Sequence, residues 1–193
     1  MANTFTCLTE LEAVNQTLAT VGEQPVTSLT SSGVSMVSLA QTFLHDASRS
    51  VQEVGLSFNS EDDYPLSPDS SSYFYVPNNT LKARPSDTTK QYLLRGLQLY
   101  DKENHTYVIS ETEVLVDIVF FLDFTLLPQA ARKYITIKAA RQFQARMFSS
   151  DIIHKLTEAD EYEARTALSD FELTSNNYSI FDDPNVYNMV RRY

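Results

Sequence analysis

The stretch Pro128-Gln-Ala-Ala-Arg-Lys-Tyr-Ile-Thr-Ile-Lys-Ala-Ala-Arg-Gln-Phe-Gln-Ala-Arg-Met-Phe148 decides the fold. Proline suits a first helical position, where its missing N–H has no intrahelical partner to lose. At about 100° per residue, Ile135, Ala139, Phe143 and Met147 form one apolar stripe. Tyr134, Ile137, Ala145 and Phe148 form another, roughly opposite. A helix apolar on two sides must touch two things, so it is central in a bundle or shared with a neighbouring subunit. Its cations, Arg132, Lys133, Lys138, Arg141 and Arg146, have no acid among them. They spread around the circumference, whereas a nucleic-acid-binding helix would gather them on one face. Pairing with an acidic helix and with neighbours is the better reading.

That acidic helix follows Ser149-Ser150 and is expected from Asp151 to Leu173. Ile153, Leu156, Ala164, Ala167 and Phe171 line its inner face on the wheel, and Asp160 falls among them. A lone inward carboxylate is strongly unfavourable, so the pattern requires a cation of the preceding helix, Arg141 or Arg146. The alternative is a local change of register that turns Asp160 to solvent. Beyond it, residues 174–193 carry Tyr178, Phe181, Tyr187 and Tyr193 without a periodicity that would bury them locally. They read as an extended arm that needs another surface.

Upstream, a one-sided amphipathic helix is expected from Ser35 to Val54, closed by Gly55. Val37, Ala40, Phe43, Leu44, Ala47, Val51 and Val54 share its apolar face. An earlier helix opens with the capping box Thr9-Glu-Leu-Glu12, places Leu11, Val14, Leu18 and Val21 on one face, and stops at Gly22. Asn15 lies at the edge of that face, and Cys7 reads as a small packing residue beside it. Between Gly55 and Pro128 the period changes. Prolines 65, 68, 77 and 85 break helical patterns, and Glu61-Asp-Asp63 reads as a solvated loop. Short strands are expected at Tyr73–Val76, Tyr92–Leu94, Leu97–Tyr100 and Thr106–Ile109, with a hairpin turn at Asp101–Asn104. The run Glu113–Leu122, apolar on nearly every residue apart from Asp117, is expected to be covered on both faces. The fold class is therefore α+β: a four-helix bundle with an inserted small antiparallel β domain and an extended C-terminal arm. Residues 1–55 supply two helices, 56–125 the insertion, 126–173 two more helices and 174–193 the arm.

Composition narrows function. The 193 residues carry a formal net charge of −10 and a single cysteine. So acidic a chain repels phosphate backbones, and one cysteine excludes an internal disulfide or a multi-cysteine metal site. No run is long and apolar enough to span a bilayer, and the chain reads as a soluble protein of a reducing compartment. There is no phosphate loop, zinc motif or nucleophile elbow, and the histidines at 45, 105 and 154 stand far apart in mostly polar settings. No catalytic, cofactor-binding or metal-ligating residue is expected. The candidate residues are instead interface residues: Arg132, Lys138, Arg141, Arg146, Asp160, Tyr178, Phe181, Tyr187 and Tyr193.

Three blocks resemble the tail tubular protein A family, the adaptors of short-tailed podophages. The first is Leu11-Glu-Ala-Val-Asn15 with Leu18-Ala19, Gly22-Glu23, Pro25-Val26 and Leu29. The second is Leu127-Pro128, Tyr134-Ile135, Lys138-Ala139, Arg141-Gln-Phe143 and Arg146-Met-Phe148. The third is Glu161 with Glu163-Ala-Arg165 and the tail Asn177-Tyr-Ser-Ile180. The blocks cover both ends of the chain in the family's order; residues 56–125 match loosely. The resemblance implies a virion tail protein assembled in the host cytoplasm as a twelvefold ring. Portal would lie above it and the nozzle, tail tubular protein B, below, with tail fibres near that joint and DNA passing through the channel. It implies no cofactor and no membrane. The competing classes are a tail-associated glycan hydrolase and a nucleic-acid-binding module.

Overall fold

A computed structural model describes residues 7–30, 35–147 and 151–175, the side chains of Ser35 and 151–158 excepted. Helix α1 (Glu10–Ala19) begins as its sequence demands: the Glu12 N–H donates to Thr9 Oγ1, and Glu12 accepts the Thr9 N–H. It ends where Gly22, at φ +78°, lets the Glu23 N–H reach back to the Leu18 carbonyl. Asn15 has a defined task. Its side chain accepts the Val26 N–H at 2.8 Å and donates to the Val26 carbonyl at 2.9 Å, fastening the extended exit after Pro25 onto the helix. Cys7 stands exposed ahead of α1 and is not the packing residue expected.

Helix α2 (Ser35–Gln52) buries Val37, Ala40, Leu44, Ala47 and Val51 as the wheel requires. Val54 lies past the last helical turn and is exposed. The helix α3 (Gln129–Met147) is the hub, packing against α1, α2 and the long α4 (Asp151–Ser175). Ile135, Ala139 and Phe143 are fully buried there, with the Phe143 ring edge-on to Phe43 at 5.8 Å. Of the second stripe, Tyr134 packs against the same core and Ile137 is half-buried, whereas Ala145 is exposed, as is Met147 at the end of the first stripe.

The insertion contains β1 (Ser60–Leu66), β2 (Thr80–Pro85), β3 (Tyr92–Arg95), β4 (Gln98–Asp101) and β5 (Val114–Phe120). Strand β5 is the centre of an antiparallel sheet ordered β1-β5-β2, and β3 and β4 form a separate hairpin. Five sequence expectations need correction. Glu61–Asp63 is solvated, but it belongs to edge strand β1, where a bulge with Asp63 at φ +54° and Pro65 leave a charged edge. Strand β2 is not among the expected strands, because Lys82, Arg84 and Pro85 obscure the alternation. Tyr73–Val76 and Thr106–Ile109 make isolated bridges only. The two-stranded hairpin turns at Gly96-Leu97; the expected turn at Asp101–Asn104 does reverse the chain, capped by the Asp101 carboxylate, but leads only to the single bridge Asp101–Thr106. Finally, β5 is covered on one face: Val114, Val116 and Ile118 are buried, whereas Leu115 is exposed.

Asp117 sits on that open face. It accepts the Ser86 hydroxyl at 2.7 Å and Arg84 Nε at 3.1 Å. The Ser86 bond, supported by Arg84, holds its carboxyl below the ordinary 3.8. A depressed folded value contributes stability that is present above the unfolded value and lost as pH falls through the folded one. Asp117→Asn should therefore flatten the acid limb of stability below about pH 4, measured by urea denaturation across pH; an unchanged limb would place the acid sensitivity elsewhere.

A buried polar joint ties the two parts together. Gln52 is fully buried; its Nε2 donates to Ser48 Oγ and to the Leu122 carbonyl at 3.0 Å, while its Oε1 accepts the Leu122 N–H at 2.8 Å. Asn59 completes the joint, donating from Nδ2 to the carbonyls of Gln52 and Phe120 and accepting the Leu56 N–H. Gly55, at φ +82°, passes so close to β5 that a Cβ would stand 3.1 Å from Val119 Cγ2. Gln52→Leu keeps the volume but strands a buried N–H and carbonyl. Its expected cost is about 1–3 kcal/mol, read from the urea midpoint; a variant melting like wild type would show the joint dispensable.

Candidate assembly interface

The structure separates the charged residues of α3 into different roles. Arg132 is a clamp: Nε donates to the Leu127 carbonyl, Nη1 to Leu8 and Nη2 to Thr125, with the guanidinium 5.9 Å from the Phe124 ring. Three carbonyls in a fixed fork are the geometry that guanidinium supplies and an ammonium does not. It fastens the chain before α1 to the 3-10 turn Phe124–Leu126 ahead of α3. Lys138 Nζ donates to Ser50 Oγ at 2.8 Å, joining α3 to α2. Arg146 is exposed in the last turn of α3.

Asp160 is exposed and does not pair inward with Arg141 or Arg146 as the wheel required. Its neighbour Glu161 takes that place, bonded to Arg141 with both side chains mostly buried. The cause is a rotation of α4. Ala164 and Leu168 are buried while Ala167 is exposed, so the inner stripe runs Glu161, Ala164, Leu168, Phe171. Ile153 and Leu156, which set the expected inner face, have side chains outside the described residues, as do Phe148 and the tail rings Tyr178, Phe181, Tyr187 and Tyr193. At the same seam, burial first and the Glu161 charge second push the Tyr134 phenol above its ordinary value.

Asp160 instead borders a groove between α1, α3 and α4, floored by Ile137 and Ala140 and rimmed by Lys133, Arg141 and Glu163. The outer side of α4 carries Tyr162, 75% exposed, and Leu173, 67% exposed, eleven residues and about three turns apart on one stripe. A cluster of exposed large side chains lies on and beside the β3–β4 hairpin, where Tyr75, Leu93 and Tyr107 show half or somewhat less of their surface. No one residue in that hairpin stands out in the sequence; only the cross-strand register gathers them.

The described residues include no group of three or more His, Cys, Asp or Glu placed to hold a metal ion, and no described helix is long and apolar enough to cross a membrane. The cleft beside α2 brings Glu10 within 3.5 Å of His45 Nε2, but the adjacent Ser48 hydroxyl is engaged by Gln52. Large exposed side chains set on regular elements make these surfaces candidates for contact with other proteins.

Comparison with known proteins makes the class specific. The sequence pattern of the tail tubular proteins matches residues 11–178. Tail tubular protein A of Klebsiella phage KP34 is 29% identical over 144 residues, covering 74% of this chain and 73% of that protein. The chain belongs to the tail tubular protein family and is a structural component of a phage virion tail.

The Arg141–Glu161 pair yields a direct contrast. Glu161→Ala should cost about 1.5–3 kcal/mol, the range for a charged hydrogen bond shielded from water. Asp160→Ala should stay within about 0.5 kcal/mol of wild type. Chemical denaturation of both variants checks this; equal losses would restore Asp160 as the inward partner.

Proposed function

We propose that this chain is the adaptor of a short-tailed phage: twelve copies form a head-to-tail ring joining the portal to the tail nozzle. The observation that supports the reading is that one subunit exposes large side chains on two unlike elements, Tyr162 and Leu173 on α4 and Tyr75, Leu93 and Tyr107 around the β3–β4 hairpin. A two-fold dimer reuses one patch, whereas a closed ring needs two unlike patches that meet at every joint. Family membership supplies the context of a tail.

In this reading residues 1–55 and 126–173 act as one helical bundle, 56–125 as an inserted β domain and 174–193 as an arm to a neighbour. Arg146 and Asp160, both exposed, remain available to the joint, while Arg132, Lys138 and Arg141 support it from within. The net charge of −10 keeps a passing DNA duplex from adhering, so the ring serves as a conduit in ejection. The head–tail connector would assemble in the host cytoplasm, with tail fibres docking near the nozzle joint. The chain performs no catalysis in this role.

Deleting residues 175–193 should leave a folded subunit that assembles or binds portal poorly, since each of the four tail rings is worth roughly 1.5–3 kcal/mol when buried. Particle images of wild-type and truncated protein, alone and with portal, decide it. Normal rings from the truncated chain would remove the arm from the account, and absence of any ring from wild type, even with portal, would remove the adaptor reading.

A further inference from the structure

The β3–β4 hairpin presents an ordered outward face. Leu94 and Leu99 pair across the hairpin and turn inward, as do Tyr92 and Asp101; Leu99 also lies beside Phe74, whose carbonyl accepts its N–H. The alternate residues therefore face out. Tyr75 stands opposite Gln98, and Gln98 opposite Arg95, forming one row. Asp101 bridges Thr106, which sets Tyr107 beside Tyr100, and Tyr100 pairs with Leu93 to form the second row. The Tyr100 and Tyr107 rings meet edge to face at 4.9 Å, and the Arg95 guanidinium lies 3.5 Å from the Tyr100 ring centroid. Tyr75 is 50%, Leu93 45% and Tyr107 37% exposed. This is a rigid aromatic platform with a single positive charge at its middle, the composition that dominates binding energy at protein interfaces.

We propose that this platform receives the segment Tyr178-Ser-Ile-Phe-Asp-Asp183 from the C-terminal arm of a neighbouring copy. The proposal rests on the ring reading above and names the surface that the arm would find. Three observations favour this occupant. The first is charge: the platform's central group is Arg95, and the arm's apolar run is followed at once by Asp182-Asp183. The second is spacing. Pro184 biases Asp183 away from the helical region, and in an extended segment Tyr178, Ile180 and Asp182 fall on one side at about 7 Å intervals. The hairpin repeats at the same interval from Leu93 to Arg95, so Ile180 over Leu93 and Tyr100 puts Asp182 over Arg95. The third is reach. The last turns of α4 are held at the start of the insertion, where Glu172 accepts the Ser57 N–H and hydroxyl. Residues 176–193 beyond it could span about 60 Å when extended, enough to leave the subunit.

Cysteine cross-linking of the full chain tests the proposal. In a Cys7→Ser background, Leu93→Cys and Ile180→Cys are made as separate proteins, mixed and oxidised. A disulfide joining the two proteins, identified by mass spectrometry of the linked peptides, is the expected result, and it can form only between copies. Arg95→Glu should abolish it, and adding Asp182→Arg to the Ile180→Cys protein should restore it. No link between the mixed proteins would overturn the proposal, as would an internal disulfide formed only when both cysteines share one chain. Images of the wild-type protein separate the two claims. Rings without the cross-link would sink the docking alone, whereas the cross-link without rings would keep the docking and sink the ring.

Discussion

The structure depends on the joint at which the insertion leaves and rejoins the helical body. Gln52 ends α2, and the backbone it grips at Leu122 belongs to the chain just before α3. Asn59 holds the same two strands of chain a turn further on, through the carbonyls of Gln52 and Phe120. Because both ends of the β region are fixed at one point, the helical body sees a closed loop. Loop-closure entropy grows only slowly with length, so such a body tolerates a long insertion. The joint also explains how glutamine can be fully buried there: its amide is matched on both sides by backbone that would otherwise be unpaired.

On the helical side of the joint, α3 is the member that every other helix touches, and its cations act mainly within the subunit. Arg132 secures the entry to α1, Lys138 reaches α2 and Arg141 holds α4 through Glu161. These three contacts surround a core of Val14, Leu44, Ile135 and Phe143 and fix how the helices rotate about it. On the other side, a second core of Leu66, Phe74, Leu99, Val116 and Ile118 supports both the open sheet and the hairpin face. Two cores bound by a polar joint give the subunit two separate supports for its surfaces.

The sequence was most legible where a feature is local. The capping box at Thr9–Glu12, the stop at Gly22 and the apolar stripe of α2 depend on residues within a few turns of one another, and they stand as the sequence implied except for Val54, which falls past the end of α2. It was least legible for strands on the sheet edge. Strand β1 carries three consecutive acids and a proline, which look like a loop because an edge strand needs only one partner and is guarded by charge. Asp160 was misplaced for a related reason. The wheel of α4 turned on residues early in the helix, and a modest rotation about the axis exchanges one acidic neighbour for the next.

By itself, then, the sequence determined the α+β class, the helices and their order, the break at Gly55 and the return at Pro128, and membership of the tail tubular family through motifs at both ends. These follow from periodicity, capping and turn chemistry, which act over short spans. Tertiary structure alone decided that Glu161 and not Asp160 meets Arg141, that Gln52 is a joint, and that Tyr75, Leu93, Arg95, Tyr100 and Tyr107 share a face. Each of these depends on which segments lie side by side and in what register. Register is set by the sum of packing over two cores, a quantity that no single stretch of the chain contains.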